Sequence, residues 1–288
     1  MTDSSLFSLP PCNLCSPSSK TVHLWRSNLD VPIERVRELA TILSDDERAR
    51  AERFYFELHR NRFIVSRGGL RTILGRYLNL KPDRVQFEYS SRGKPKLAES
   101  GGAEKLQFNV SHSQDLALYG FSCDRAIGVD LEYLRRFDDA QNIARRFFSA
   151  QESAIIDSLP EEEKIAAFFR GWTGKEAYLK ATGEGLAGSL DAVEVSLVPS
   201  EPVRLLALNG DSQAAARWHL HSFIPAVDYI ATVAIEGHLQ FTINNYQFIL
   251  DCGWVTTYNR NTRRVSFINY YLLSRDRGIK IAQASKSI

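Results

Sequence analysis

Two carboxylates separated by two positions are the first candidates for chemistry in this sequence. Asp130 and Glu132 stand in the segment GVDLE at residues 128–132, which reads as a β-strand. On a strand this spacing directs both side chains to the same face. Adjacent carboxylates repel each other unless a cation or a proton neutralises them, and oxygen ligands suit a hard ion such as Mg²⁺. The alternative is a strand end that emerges into solvent.

A carboxylate and an ammonium group four residues apart are the second candidates. Glu176 and Lys180 lie in the segment WTGKEAYLK at residues 172–180, which follows a helical approach and precedes the stop signal Gly183. The spacing places both groups on one helical face, together with Trp172. A solvated Glu–Lys pair is the common explanation of such spacing. The acidic strand upstream favours a shared metal site instead.

Two shorter polar segments precede these candidates. The turn SRGKPK at residues 91–96 carries three cations, among them Arg92 and Lys94, around a glycine that lets backbone approach a ligand. The segment NVSHS at residues 109–113 ends a predicted strand. Its His112, flanked by two hydroxyl groups, is a candidate phosphate or substrate contact and equally a candidate structural histidine.

Eight arginines lie between Arg48 and Arg76, with no lysine among them. Arginine forks match phosphate oxygens, so one interpretation is a phosphate-binding face. The other is a solvated helical face, on which the carboxylates of Glu47, Glu52 and Glu57 pair with some of the arginines.

The composition is that of an ordinary globular chain. The 288 residues are 44% hydrophobic and carry a formal net charge of +2, so a basic function would need local clustering of charge. The four cysteines lack the spacing of a disulfide framework, and Cys12 and Cys15 have no matching second pair. The absence of a signal sequence and of an apolar stretch of roughly 18 residues favours a cytoplasmic protein. Residues 1–20, rich in Ser and Pro, are expected to be disordered.

Hydrophobic periodicity predicts mixed α and β structure around these segments. Helices are expected at residues 32–43, at 44–78 with an interruption at Gly68 and Gly69, at 138–148, and from a capping box at 149–152 up to Thr182, where Gly171 permits a break. Strands are expected at residues 21–25, 85–89, 106–110, 116–121 and 127–131, the last three as an antiparallel meander, and within 192–235. Residues 238–288 are β-like and rich in aromatic residues, and the sequence assigns them no role.

Together these segments resemble the 4′-phosphopantetheinyl transferases. The resemblance rests on short motifs in the family's order, from about residue 21 to residue 235: the Arg-rich helix after Ser44, GKP at 93–95, NVSHS at 109–113, GVDLE at 128–132, and WxxKEAxxK at 172–180 followed by GxGL at 183–186. The length of the chain is similar to that of members of the monomeric, surfactin-type branch. One departure is Glu47, which stands where some members of the family have a lysine.

The resemblance implies an α+β fold of two similar α/β halves, related by pseudo-two-fold symmetry, with the active site in the cleft between them. Residues 21–128 would grip the nucleotide of coenzyme A, and residues 129–237 would carry the metal and the catalytic helix. The implied reaction moves the 4′-phosphopantetheine arm of coenzyme A to a serine of an acyl or peptidyl carrier protein and releases adenosine 3′,5′-bisphosphate. The implied protein is a monomer that binds neither nucleic acid nor membrane.

The resemblance also implies roles for individual residues. The ligands of Mg²⁺, or of Mn²⁺, would be Asp130, Glu132 and Glu176. The catalytic groups would be Glu176 as the base, Lys180 on the leaving phosphate, and His112. Contacts to coenzyme A would come from Arg50, Arg92, Lys94, Ser111, His112, Asp130, Glu176 and Lys180. Trp172 is expected to pack in the core behind the catalytic helix.

Two other functions stay open at this point. The first is a non-catalytic binder of RNA or another polyanion that uses the Arg-rich helix. The near-neutral net charge and the acidic pairs argue against it, because they would repel a phosphate backbone. The second is a coenzyme A-binding protein without activity, which the presence of all three carboxylates and Lys180 disfavours.

Overall fold

The computed structural model describes residues 21–98, 105–135, 140–184, 190–197 and 201–237, together with four short strands after residue 246. The expectation for residues 1–20 lies outside the described residues, as does most of what was expected of residues 238–288. Within the described ranges, no helix is both long enough and apolar enough to cross a membrane.

The chain alternates strands and helices in three runs. The first run is β1 (His23–Asn28), α1 (Ile33–Thr41), α2 (Asp45–Glu52), α3 (Glu57–Leu78), β2 (Phe87–Tyr89), β3 (Pro95–Leu97), β4 (Leu106–Ser113) and β5 (Leu116–Cys123). The second run is β6 (Ile127–Tyr133), α4 (Ala140–Phe147), α5 (Ala150–Ser158), α6 (Glu161–Thr182), β7 (Val193–Val195), β8 (Leu205–Leu208), α7 (Ser212–Ala215), β9 (Trp218–Phe223) and β10 (Tyr229–Glu236). The third run is β11 (Gln247–Phe248), β12 (Trp254–Asn259), β13 (Arg264–Asn269) and β14 (Ala284–Ser285).

Small sheets and the helices packed on them form an α+β fold, as expected. The strand orders are β11-β1-β5-β4, β6-β10-β9 and β12-β13-β14, with the hairpins β2-β3 and β7-β8 beside them. Among the strands that the structure describes, pairing is antiparallel except between β11 and β1, which run parallel. The first two runs have a similar order of elements. Each begins with a strand and continues with helices, the longest of which has 22 residues. A hairpin and two further strands follow, and the last strand of the run pairs with its first strand.

Within the described ranges, three hydrophobic clusters form the core. One packs α1 and α3 onto the first sheet, and another surrounds α6. The third cluster combines strands of both sheets, with Leu24 of β1, Leu118 of β5, Val129 of β6 and Val233 of β10 among its members. The two sheets are therefore joined by a shared apolar core next to β6.

The meander expected for β4, β5 and β6 is wrong in its third strand. β4 and β5 do pair in antiparallel register, but β5 uses its other edge for β1. With both edges of β5 occupied, β6 pairs with β10 in the second sheet.

The expected helix interruptions are also wrong. The long helical segment breaks at residues 53–56, between α2 and α3, and continues through Gly68 and Gly69. A Cβ at Gly68 would lie 2.8 Å from the Leu39 side chain, so this glycine allows α1 and α3 to pack closely. Helix α6 is likewise unbroken at Gly171, where a Cβ would lie 2.6 Å from the ring of Phe148.

Capping boxes start the second helix of each run, and their glutamates also bind a buried cation. Glu152 Oε2 accepts from the Ser149 N–H at 2.8 Å and from Lys175 Nζ at 2.6 Å. In the first run Glu47 Oε2 accepts in the same way from the Ser44 N–H at 3.0 Å and from Arg71 Nε at 2.6 Å. Each cation is the fifteenth residue of its 22-residue helix and also donates to two carbonyl groups of the segment that follows that helix.

We expect Lys175→Met to reduce the free energy of unfolding by about 3 kcal/mol. Lys175 is completely buried, so its loss leaves the Glu152 carboxylate buried without a counter-charge and two carbonyl groups without their donor. Urea unfolding measures the effect. Lys164→Met on the same helix is the control: its partner Glu161 is exposed, and such pairs contribute at most about 1 kcal/mol. Equal losses in the two variants would contradict the expectation.

His221 should lower the free energy of unfolding as the pH drops from 6.5 towards 4, a contribution opposite in sign to that of Glu176, whose pKa is raised. Burial, and then the neighbouring His219, lower the pKa of His221 from its usual 6.5 to about 4. Within this window the unfolded chain binds more protons than the folded one, so acid favours unfolding, by up to about 3 kcal/mol for this residue. Thermal unfolding of both proteins across the pH range measures this contribution as a difference: the wild type should lose stability relative to His221→Gln as the pH falls. An equal slope in both proteins would contradict the assignment.

Candidate active site

β6 and α6 carry the residues of the two principal motifs, and they are in direct contact. Gly128 makes this approach feasible: a Cβ at this position would lie 2.0 Å from the Ala177 carbonyl oxygen and 2.5 Å from the Ala181 nitrogen. The strand therefore brings Asp130 and Glu132 to the helix face that bears Glu176 and Lys180.

Lys180 and Asp130 form the centre of this arrangement. Lys180 Nζ lies 2.5 Å from Asp130 Oδ1 and 3.0 Å from Ser111 Oγ. Ser111 Oγ is in turn 3.1 Å from Asp130 Oδ1. Asp130 is buried, and both partners contact its Oδ1. The resemblance assigned each of these three residues a contact with coenzyme A, and the structure places them next to one another.

Glu176 is buried on the same helix face, and in the described part of the chain its Oε1 has no hydrogen-bond partner. Burial, followed by the charge of Asp130, raises the pKa of Glu176 to about 7, although Lys180 acts in the opposite direction. The carboxyl group is therefore able to exchange a proton near neutral pH.

Glu132 is less buried and is held by a hydrogen bond. Ser113 Oγ lies 3.2 Å from Glu132 Oε2. Burial and the charge of Asp130 raise the pKa of Glu132, and the contact with Ser113 and the charge of Lys180 lower it. Asp130 and Glu132 thus lie close enough to influence each other, as their spacing on a strand requires.

These oxygens fit a divalent cation. Across the described ranges no group of three or more His, Cys, Asp or Glu side chains is arranged as a complete metal site. However, the same ranges leave Asp130 Oδ2 and Glu176 Oε1 buried without a partner. Buried carboxylate oxygens without a partner are costly, and a hard ion such as Mg²⁺ satisfies such oxygens. Asp130, Glu132 and Glu176 could hold it.

His112 and Ser111 lie on opposite faces of β4, because successive side chains of a strand alternate. Ser111 belongs to the face that contacts Asp130, whereas His112 remains accessible. Partial burial, and then the nearby charge of Lys180, lower the pKa of His112, and Arg50 adds to this effect. The neutral imidazole is therefore close to two cations.

Arg50 lies at the end of α2, over the ring of Phe63 at 5.4 Å. It lines an open surface depression together with Asp46, Arg53 and Phe54. Arg50 is thus placed to meet a ligand that also approaches His112.

Arg92 and Lys94 contact the C-terminal end of α6. Arg92 Nη1 donates to the Glu184 carbonyl at 2.8 Å, and Lys94 Nζ donates to the Ala181 carbonyl at 2.9 Å. Burial lowers the pKa of Lys94 to about 8. A cavity of about 340 Å³ opens beside them, lined by Ser90, Lys94, Pro95, Lys96, Leu97, Leu106, Gln107, Phe108, Thr182 and Gly183. This volume is within the range of small-molecule sites.

Five of the eight arginines between Arg48 and Arg76 form ion pairs, which supports the interpretation of a largely neutralised helical surface. The pairs are Arg48–Asp45, Arg60–Glu57, Arg62–Asp30, Arg67–Glu47 and Arg71–Glu47. Glu47 is buried between two of these arginines, so its carboxylate contributes to the fold. Trp172 stacks on Phe168 with ring centres 5.8 Å apart, and it packs in the core as expected.

Sequence reasoning missed Asn109 and Ser113. Asn109 Oδ1 accepts from the Val129 N–H at 2.9 Å, and Ser113 contacts both Glu132 and the Tyr133 N–H. The signal available in the sequence was the period of two in NVSHS, which places three polar side chains on one face of a strand.

Comparison with known proteins gives a consistent result over the first two runs of the chain. Residues 126–234 match the family described as the 4′-phosphopantetheinyl transferase superfamily, and residues 32–121 match the family described as 4′-phosphopantetheinyl transferase, N-terminal. Neither match includes β11 to β14. The polyanion-binding alternative finds no support in these comparisons.

Individual relatives cover most of the same region. The 4′-phosphopantetheinyl transferase HetI of Nostoc sp. is 49% identical over 219 residues, which are 76% of this chain and 89% of the relative. The 4′-phosphopantetheinyl transferase psf-1 of Bacillus pumilus is 34% identical over 57% of this chain and 68% of its own length. The 4′-phosphopantetheinyl transferase Sfp of Bacillus subtilis is 28% identical over 59% of this chain and 74% of its own length.

Proposed function

Since the chain belongs to the 4′-phosphopantetheinyl transferase superfamily and is an enzyme of that kind, we propose that it transfers the 4′-phosphopantetheine arm of coenzyme A to a serine of an acyl or peptidyl carrier protein. The reaction requires Mg²⁺ or Mn²⁺ and releases adenosine 3′,5′-bisphosphate. The observation that carries the proposal is the convergence of Asp130, Glu176 and Lys180 between β6 and α6, with two carboxylate oxygens buried and unpartnered within the described ranges.

The chemistry is an attack on phosphorus. The serine Oγ of the carrier protein forms a bond to the phosphorus that bears the pantetheine arm, the bond from this phosphorus to the bridging oxygen breaks, and the serine proton leaves. Asp130, Glu132 and Glu176 would hold the cation, which when bound neutralises charge on the pyrophosphate of coenzyme A. The described residues supply the proton acceptor and the cationic groups.

Glu176 is the proposed base, directly or through a water molecule, because its buried carboxylate lies on the helix face beside Asp130 and Lys180. Lys180 neutralises charge that develops on the leaving phosphate. Its present contacts, Asp130 and Ser111, hold the ammonium group at the centre of the site. Ser111 and His112 contact phosphates from the two faces of β4.

The nucleotide of coenzyme A is proposed to bind beside β3 and the C-terminal end of α6. The cavity there is lined by Lys94, and Arg92 lies at the same end of the helix. Arg50 provides a further contact to the 3′-phosphate, since it is near His112. Arg92 and Lys94 donate to carbonyl groups at and just beyond the end of α6, so nucleotide binding would exchange those contacts for phosphate or base contacts.

We further propose that residues 21–128 and 129–237 are two halves related by pseudo-two-fold symmetry, with the active site in the cleft between them. The repeated order of elements supports this, as do the two buried ion pairs at matching positions, Glu47–Arg71 and Glu152–Lys175. The protein would act as a monomer of the surfactin-type branch.

The direct test is intact-mass spectrometry of a purified apo-carrier protein incubated with this enzyme, coenzyme A and Mg²⁺. We expect the carrier to gain the mass of one phosphopantetheine group, and we expect EDTA to abolish the gain. Parallel reactions use a fatty-acid and a peptide-synthetase carrier protein. If neither carrier gains this mass, the proposal is overturned.

A further inference from the structure

β4 and β6 lie side by side, yet no backbone ladder connects them. β4 is the last strand of the first sheet, and β6 is the first strand of the second. Side chains of β4 bridge the gap by accepting hydrogen bonds from backbone N–H groups of β6. The three bonds are Val129 N–H to Asn109 Oδ1 at 2.9 Å, Leu131 N–H to Ser111 Oγ at 3.2 Å, and Tyr133 N–H to Ser113 Oγ at 3.1 Å.

These bonds repeat with the period of a strand. Each donor lies 20 residues after its acceptor, and alternate residues are used on both strands. Since N–H groups of a strand alternate between its two edges, the three donors belong to the edge of β6 that faces away from β10. A buried N–H group without an acceptor is costly, so the three side chains replace a missing neighbouring strand. We call Asn109, Ser111 and Ser113 the side-chain ladder.

The ladder also contacts the acidic side chains of β6. Ser111 Oγ donates to Asp130 Oδ1 while it accepts from Leu131 and Lys180, which uses the full capacity of one hydroxyl group. Ser113 Oγ accepts from Tyr133 and donates to Glu132 Oε2. The same hydroxyl groups therefore fix the backbone of β6 and the orientation of its carboxylates.

We propose that the side-chain ladder positions Asp130 and Glu132 for cation binding, and that Asn109 and Ser113 are positioning residues of the active site. The role in cation binding rests on the proposed function. Asn109 accepts from the backbone N–H of Val129, whereas Ser113 also contacts the Glu132 side chain. Partners that orient metal ligands typically affect metal affinity by about 10–100-fold.

Paired substitutions distinguish the effect of losing a ladder bond from a change in the overall stability of the protein. Ser113→Ala removes the hydroxyl group, and Ser113→Thr keeps it. Asn109→Leu removes the acceptor at similar size, and Asn109→Asp keeps an acceptor oxygen. Thr72→Val is the control, since it removes a hydroxyl group that bonds the Gly68 carbonyl within α3. Two quantities are measured: amide hydrogen exchange of Val129 and Tyr133 by NMR, and the half-saturating Mg²⁺ concentration by calorimetric titration in the presence of coenzyme A.

We expect Ser113→Ala to speed exchange at Tyr133 and Asn109→Leu to speed it at Val129. Both should raise the half-saturating Mg²⁺ concentration about tenfold or more. Ser113→Thr and Asn109→Asp should restore exchange, and Ser113→Thr should also restore the Mg²⁺ response. The control should change neither quantity.

Three results would overturn the inference or a part of it. Unchanged exchange in both Ser113→Ala and Asn109→Leu would show that the ladder bonds do not hold β6. Faster exchange with an unchanged Mg²⁺ response would show that the ladder does not position the carboxylates. A wild-type protein that does not bind Mg²⁺ at all would overturn the proposed function and, with it, the positioning role. The exchange measurements would still decide whether the ladder exists.

Discussion

Replacing Glu176 by Gln should lower the turnover of carrier modification by about 10²–10⁴-fold, the range for a lost general acid or base. The change is nearly isosteric, so the packing of α6 against β6 is retained while the charge and the proton acceptor disappear. A time course of intact carrier mass, with coenzyme A and Mg²⁺ in excess, measures the rate.

The fold of the Glu176→Gln variant should survive. Burial and neighbouring carboxylates raise the pKa of Glu176 from 4.5 to about 7 in the folded protein. A raised folded pKa means that ionisation, as the pH rises through this window, reduces stability. An uncharged Gln avoids that loss, so without divalent cations the variant should melt no lower than the wild type above pH 7. The metal-free melting temperature therefore separates a catalytic loss from unfolding.

Glu184→Gln is the matched control, because Glu184 is exposed just beyond the end of the same helix. It should leave the rate within about twofold, since surface substitutions away from special features usually change energies by less than about 0.5 kcal/mol. Equal rates for Glu176→Gln and the wild type would exclude Glu176 from the mechanism.

The part of the site that the sequence predicted depends on the spacing of residues within a single strand or helix. Asp130 and Glu132 share a face because a strand has a period of two, and Glu176 and Lys180 share a face because a helix has a period near four. The strand, the helix and Gly183 as the helix end, with a φ of 78°, are all present. Such features depend on residues that are close in sequence.

The remaining features depend on partners that are distant in sequence. β6, the third strand of the expected meander, pairs with β10 because β1 occupies the second edge of β5. The periodicity of a single segment does not show which strand will be its neighbour. The capping-box glutamates were recognisable, but their buried cations at Arg71 and Lys175 were 24 and 23 residues away. Arg92 and Lys94 were predicted as ligand contacts, yet Arg92 donates to the Glu184 carbonyl just beyond α6 and Lys94 to the Ala181 carbonyl within it.

Replacing Gly128 by Ala should reduce the free energy of unfolding by about 4 kcal/mol or more, which is at the extreme of single substitutions. The added Cβ would lie 2.0 Å from the Ala177 carbonyl oxygen and 2.5 Å from the Ala181 nitrogen. Both are backbone atoms of α6, so no side-chain rotation relieves the overlap, and strand and helix must separate. Separation moves Asp130 away from Lys180, so activity should fall together with stability.

Gly174→Ala is the matched control, and its effect should have the opposite sign. Gly174 lies inside α6, where a Cβ would have its nearest neighbours at 3.5–3.7 Å, an ordinary contact distance. Alanine is favoured over glycine within a helix by about 1 kcal/mol, so this variant should be more stable than the wild type. Urea unfolding of both variants measures the two changes. If Gly128→Ala were as stable as Gly174→Ala, β6 and α6 could not be in the close contact that brings the acidic strand to the Glu176 face.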